Sequence, residues 1–115
     1  HLQTKKYENI FFAGQLTGVE GYCESISTGL FAAINMDRFL KNKPLIELNS
    51  KTVLGALIDY ITYENHKKFQ PVNASWGIVD EIETDKKIKD KKLKNEMRSK
   101  RAIECIEKVL NIINE

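Results

Sequence analysis

The stretch "FFAGQLTGVEGYCES", from Phe11 to Ser25, carries three glycines, Gly14, Gly18 and Gly21, between an apolar run and a helical pattern. Glycine loses more backbone freedom on folding than any other residue, so a turn this rich in it implies positive φ angles or a close approach of another group. The apolar run "IFFA" at 10–13 predicts a short buried strand. A strand, a glycine turn and a helix start, in that order, bring unpaired amides and the positive end of a helix dipole to one point. The spacing is neither G-x-G-x-x-G nor a phosphate loop ending in Lys-Ser/Thr. On spacing alone, a purely structural turn and a ligand-binding turn both stand.

The rest of the chain supplies few partners for that strand. "LQT" near the start and "LIEL" at 45–48 are the candidates, so the predicted fold class is predominantly α with one or two short β-strands. Thr17 and Glu20 have the spacing of a capping box opening the first helix. Tyr22, Ile26, Leu30, Ala33 and Ile34 recur along it, and "GLFAAI" predicts burial on most sides. Pro44 is expected to stop it. A second helix is expected after Asn49 or Ser50, both good N-caps, with Val53, Leu54, Leu57, Ile58 and Ile61 as its apolar stripe. "ENHKKFQPVNASWG" reads as irregular. The last helix is expected from about Thr84 to Ile113, solvated in its basic first half and anchored by Ile103, Ile106, Val109, Leu110 and Ile113 in its second.

Charge is distributed unevenly. The net charge is +2, but Lys86 to Arg101 carries nine basic residues against Asp90 and Glu96. Such a segment signals a polyanionic partner or a solvated face. Lysines without interleaved aromatics suit contact with phosphates rather than with bases. With 42% hydrophobic and 30% charged residues the composition is that of an ordinary globular domain, and no apolar run nears the ~20 residues of a membrane span. Cys23 and Cys105 match no metal or redox spacing and read as free thiols. His1 and His66 lack a second ligand at metal-binding spacing. These features predict a cytoplasmic protein with no metal site.

"NIFFAGQLTGVEGYCESISTGLFAAIN", "TVLGALIDYIT" and "FQPVNASWG" together resemble the C-terminal portion of the TrmFO flavoproteins. These are FAD- and folate-dependent tRNA uracil-5-methyltransferases in the GidA-related family. The GidA-type enzymes share the "FFAGQ" run but continue with a different glycine turn. The resemblance implies a C-terminal fragment of an α/β FAD-binding, glutathione-reductase-like flavoenzyme. Residues 1–44 would be the terminal strand, turn and helix of its FAD domain, and 45–115 a helical region with a basic helix. It implies FAD contacts from Gly14, Gln15, Gly18, Val19, Glu20 and Gly21, with Glu20 favoured as a helix cap. Asn73 and Trp76 are the folate candidates, although Ser75 and Trp76 depart from the family pattern. Cys23 stands where the family more often has valine, which implies a core thiol and not a nucleophile. Lys86, Lys87, Lys91, Lys94, Arg98 and Arg101 are the tRNA candidates.

For the whole enzyme, the resemblance implies NAD(P)H and methylenetetrahydrofolate as co-substrates and uracil-54 of the tRNA T-loop as the target. Catalytic residues are expected in the missing portion. The fragment alone is expected to be inactive, to retain no cofactor, and to need the absent N-terminal FAD domain or to self-associate. The alternatives are a non-catalytic RNA-binding helical module and a GidA-type enzyme modifying wobble uridines.

Overall fold

The computed structural model describes residues 1–82 and 90–115. Among the described residues, three α-helices carry the fold: α1 Tyr22–Leu40, α2 Val53–Thr62 and α3 Lys91–Ile113. Short 3-10 turns at Gly14–Thr17 and Trp76–Ile78 precede α1 and follow α2. The expected start of the last helix at Thr84 lies outside the described residues.

Of the expected strand at 10–13, only one antiparallel bridge forms, Gln3 with Phe11. Thr4 N–H donates to the Ile10 carbonyl at 2.8 Å and Phe12 N–H to the Leu2 carbonyl at 2.9 Å. "LQT" is therefore the partner, whereas "LIEL" pairs with no strand. It runs extended beside α1 and is held by a side chain. Asn35, fully buried, accepts the Ile46 N–H at 2.7 Å and donates to the Ile46 carbonyl at 3.1 Å. Its amide thus imitates a neighbouring strand for one residue. An Asn35→Ala substitution would orphan both buried groups, each costing about 1–3 kcal/mol. The expected result is a thermal midpoint lowered by more than ~10 °C in a circular dichroism melt.

The core centres on Leu2, Phe31, Ala32, Ile46 and Ile58, with Phe11, Leu48, Leu54, Ile61, Val109 and Ile113 packed around it. Residues before and after position 44 thus share one core. The face that α1 buries is not the one its apolar spacing predicts. Thr28, Phe31, Ala32, Asn35 and Arg38 point inward, while Tyr22 (90% exposed), Ile26 (71%) and Leu30 (63%) face outward. Cys23 is exposed as well, which corrects its reading as a core thiol.

The helix ends also differ from expectation. The N-cap of α1 is Gly21, with no side-chain cap, and Thr17 Oγ1 instead donates to the Gly14 carbonyl at 2.7 Å within its own 3-10 turn. No Thr17–Glu20 capping box forms. α1 ends before Pro44 can act: Asn42 takes φ 55° and its N–H donates to the Phe39 carbonyl, while the Lys43 N–H reaches the Arg38 carbonyl. This is the Schellman arrangement, with Asn in the left-handed position. α2 is capped by Thr52, whose Oγ1 accepts the Gly55 N–H at 3.0 Å. Asn49, the expected cap, accepts the Lys51 N–H with its own side chain one turn earlier.

Candidate functional site

The glycine turn and the "FQPVNASWG" loop, read separately in the sequence, adjoin in space. Val19 and Val72 form a parallel bridge, in which the Glu20 N–H donates to the Val72 carbonyl at 2.8 Å and the Val72 N–H to the Gly18 carbonyl at 2.9 Å. Asn73 adds a third link, its Nδ2 donating to the Glu20 carbonyl at 3.1 Å. The folate candidate Asn73 therefore adjoins the flavin candidates and fastens the loop to the turn, whereas Trp76 is placed beside α2.

All three glycines of the turn have positive φ, at 78° for Gly14, 109° for Gly18 and 108° for Gly21. Their missing β-carbons serve different neighbours. A Cβ on Gly18 would fall 2.3 Å from Cζ of Phe69, so that ring already fills the space. Phe69 belongs to a cluster with Tyr60 and His66, whose rings lie 5.9 and 5.5 Å away. The end of α2 thereby buttresses the turn. A Cβ on Gly21 would meet the Glu24 carboxylate at 1.9 Å. An acid in the first turn of a helix complements its dipole, and Glu24 lies there in place of an outside anion. Gly14 is the more open of the three, with Ser25 at 3.9 Å.

The amides divide in the same way. The Gly14 N–H donates to Thr28 Oγ1, the Gly18 N–H to the Gln15 carbonyl and the Glu20 N–H to the Val72 carbonyl. Val19 has a fully buried side chain, and its own N–H takes no part in the bridge. The first turn of α1, uncapped by any side chain, keeps its free N–H groups. Gln15 and Leu16 are exposed beside it. Val19 is buried as a whole residue, so the turn can offer a negatively charged or carbonyl-bearing ring edge the start of α1 and the Gln15 side chain. It cannot offer the face of Gly18. Trp76 is half-buried in the 3-10 turn that packs beside α2.

The basic helix is less solvated than its composition suggests. Lys91, Lys94, Arg98 and Arg101 share one face of α3. Lys91 is exposed, but Lys94 pairs with Glu81 at 2.9 Å and Arg98 is buried against the same carboxylate at 3.3 Å. Arg101 donates to the Glu81 carbonyl at 2.9 Å and to the Asp80 carbonyl. Hydrogen bonding to Lys94, and its charge, hold the Glu81 carboxyl below its ordinary value of 4.5. The tRNA candidates Lys86 and Lys87 lie outside the described residues.

A second polar region, between α2 and the 78–80 segment, gathers Asp59, Tyr60, Tyr63, His66 and Asp80. Burial and the nearby Asp80 raise the Asp59 carboxyl. An apolar cleft of about 220 Å³ lies where Leu30 and Ile34 of α1 face Val109, Leu110 and Ile113 of α3. Among the described residues, no helix is long and apolar enough to cross a membrane, and no His/Cys/Asp/Glu cluster could hold a metal ion.

Comparison with known proteins separates the readings. The family model for Glucose inhibited division protein A matches residues 1–44. A methylenetetrahydrofolate--tRNA-(uracil-5-)-methyltransferase TrmFO from Dictyoglomus turgidum is 50% identical over 110 residues, 95% of this chain and 25% of the relative. The Brevibacillus brevis protein of the same name is 49% identical over 105 residues, 91% of this chain and 24% of its own. That from Bacillus velezensis is 44% identical over 111 residues, 96% and 25% respectively. The chain spans about a quarter of the length of these curated relatives. By sequence, it is similar to the C-terminal part of those TrmFO relatives, with its first 44 residues matching the GidA-related family model.

Proposed function

We propose that these 115 residues act as the C-terminal part of an FAD- and folate-dependent tRNA uracil-5-methyltransferase. The observation that carries this reading is 44–50% identity to proteins of that name across nearly all of the chain. The uncapped α1 N-terminus supports it, because a reduced flavin bears negative charge along one edge of its ring. In the whole enzyme, a cytoplasmic protein with an α/β FAD-binding fold, the flavin would carry reducing equivalents from NAD(P)H to a one-carbon unit from methylenetetrahydrofolate, bound for C5 of uracil-54 in the T-loop.

This segment holds one edge of the cofactor. The first turn of α1 and the Gln15 side chain would face the flavin, with Gly14 and Gly21 giving backbone access once the flexible Glu24 side chain swings aside and Val19 anchoring the turn from within. Glu20 and Gly18 keep the turn in shape, Glu20 through its backbone bonds to Val72 and Asn73. Asn73 borders the same surface, where a folate ring stacked against the flavin would end, and Trp76 would reach that ring from its 3-10 turn beside α2. Residues 1–44 would close the FAD domain, in keeping with the extent of the family match. Residues 45–115 would pack beneath it and carry the tRNA contacts. The outward stripe Leu16, Tyr22, Ile26 and Leu30 would be covered by the N-terminal FAD domain, or by a second copy when the segment stands alone.

The test is to purify the full-length polypeptide that carries this segment. Flavin absorbance and methylenetetrahydrofolate-dependent methylation of tRNA at uracil-54 are expected. A flavoprotein that modifies wobble uridines instead, or a flavin-free parent whose 115-residue segment binds RNA alone, would overturn the reading. Within that polypeptide, Lys91→Gln with Lys92→Gln should weaken tRNA binding and reduce the slope of log affinity against log salt by about two, one for each phosphate left without its lysine. Binding that is unchanged across a salt titration would remove α3 from the tRNA surface.

A further inference from the structure

We infer that the Glu81 carboxylate occupies a phosphodiester-binding position on α3, built by Lys94 and Arg98, which an RNA phosphate takes over when the substrate docks. The inference rests on the tRNA reading above and adds the regulation of that surface. Its first support is an asymmetry of exposure. The Glu81 side chain is 75% exposed, whereas the Arg98 side chain bound to it is 9% exposed and that of Lys94 is 32% exposed. The anion is the solvent-facing member, and Arg98 is the buried one.

The second support is that the position does not need Glu81 for its shape. Arg101 grips the backbone carbonyls of Asp80 and Glu81, not the carboxylate, so the 80–81 segment stays on α3 when the side chain leaves. Arg98 is held from its own helix too, donating to Asn95 Oδ1 at 3.4 Å. The third support is a surplus of positive charge. Three cations converge on the Glu81 residue, and the buried Nε atoms of Arg98 and Arg101 find no hydrogen-bond partner among the described residues. Lys91 continues the same face into solvent. A carboxylate and a phosphodiester both present two oxygens to a guanidinium and its neighbouring ammonium. Exchanging one for the other therefore preserves the geometry. It also sets a threshold, since a weak or misplaced polyanion must first displace an internal one.

The experiment uses the full-length polypeptide and a tRNA bearing uracil at position 54. Glu81→Gln should tighten tRNA binding about 3–10-fold at low salt, roughly one ion pair freed, and steepen the salt slope by about one. In the Glu81→Gln background, Lys94→Gln should abolish that gain. A thermal melt run alongside shows whether α3 stays docked. A measurement on the native chain avoids the variants: the carbon-13 resonance of the Glu81 carboxyl should titrate below the ordinary range in free protein and return to it with tRNA bound. Unchanged or weaker binding by a folded Glu81→Gln protein, or a Glu81 titration indifferent to tRNA, would overturn the inference. If the Lys91→Gln, Lys92→Gln protein also binds tRNA normally, the tRNA reading fails with it. If that protein binds weakly, only the role of Glu81 is lost.

Discussion

Gly18→Ala is expected to destabilise the chain by about 1–3 kcal/mol and to strip flavin from the full-length protein. Two costs combine. At φ 109° an L-residue is strained wherever its side chain goes, and the new methyl would lie 2.3 Å from Cζ and 2.6 Å from Cε1 of Phe69. The ring is 41% exposed and can swing outward, but only by giving up its packing on Tyr60 and His66. Displacing it should pull the 69–73 loop from the turn and break the Val19–Val72 bridge with it. The two costs separate in a double mutant. Phe69→Ala in the Gly18→Ala background should recover part of the lost stability, the steric part, while the strain at φ 109° remains. No recovery, with a clear loss for Gly18→Ala alone, would show that backbone strain accounts for the whole effect and that Phe69 does not buttress the turn.

Gly55→Ala should be worse, about 3 kcal/mol or more, although alanine is the better helix former by about 1 kcal/mol. Here the obstacle is backbone. The added Cβ would sit 1.9 Å from the carbonyl oxygen of Asn49 and 2.6 Å from its carbon. That carbonyl accepts the Thr52 N–H at 3.2 Å and the Thr52 hydroxyl at 3.0 Å, and the Thr52 hydroxyl in turn caps α2 at Gly55. Moving the carbonyl aside therefore breaks the cap that starts the helix. Gly29 supplies the control. It lies in α1 with nothing within 4 Å of its would-be Cβ, so Gly29→Ala should stabilise by about 0.5–1 kcal/mol. Denaturant titration of the three chains reads both signs. Equal effects at Gly55 and Gly29 would sink the account of the 49–55 corner.

The sequence marked the three helices, because each carries a local signal: periodic apolar residues for α1 and α2, and a long charged pattern for α3. It also located the turn, since closely spaced glycines mark positive φ wherever they fall. The resemblance to the TrmFO relatives was legible from short runs such as "FFAGQLTGVEGYCES" and "FQPVNASWG". The caps were misread where two residues of the right type competed. Thr17 and Asn49 each spent their side chains on local turns, and only the geometry shows which oxygen reaches a helix amide.

What the residues alone determined, then, was local: where helices form, where the backbone must turn left-handed, and where positive charge accumulates. The tertiary structure decided which face of α1 is buried, since Thr28, Asn35 and Arg38 go inward to bond backbone groups while Tyr22, Ile26 and Leu30 are left outside. It also decided that Val72 pairs with Val19 and that Glu81 sits on Lys94 and Arg98. Hydrophobic spacing says that a side chain prefers to leave water, but not which surface will cover it. A buried amide or guanidinium is stable only beside a specific carbonyl or carboxylate, and that partner is distant in sequence.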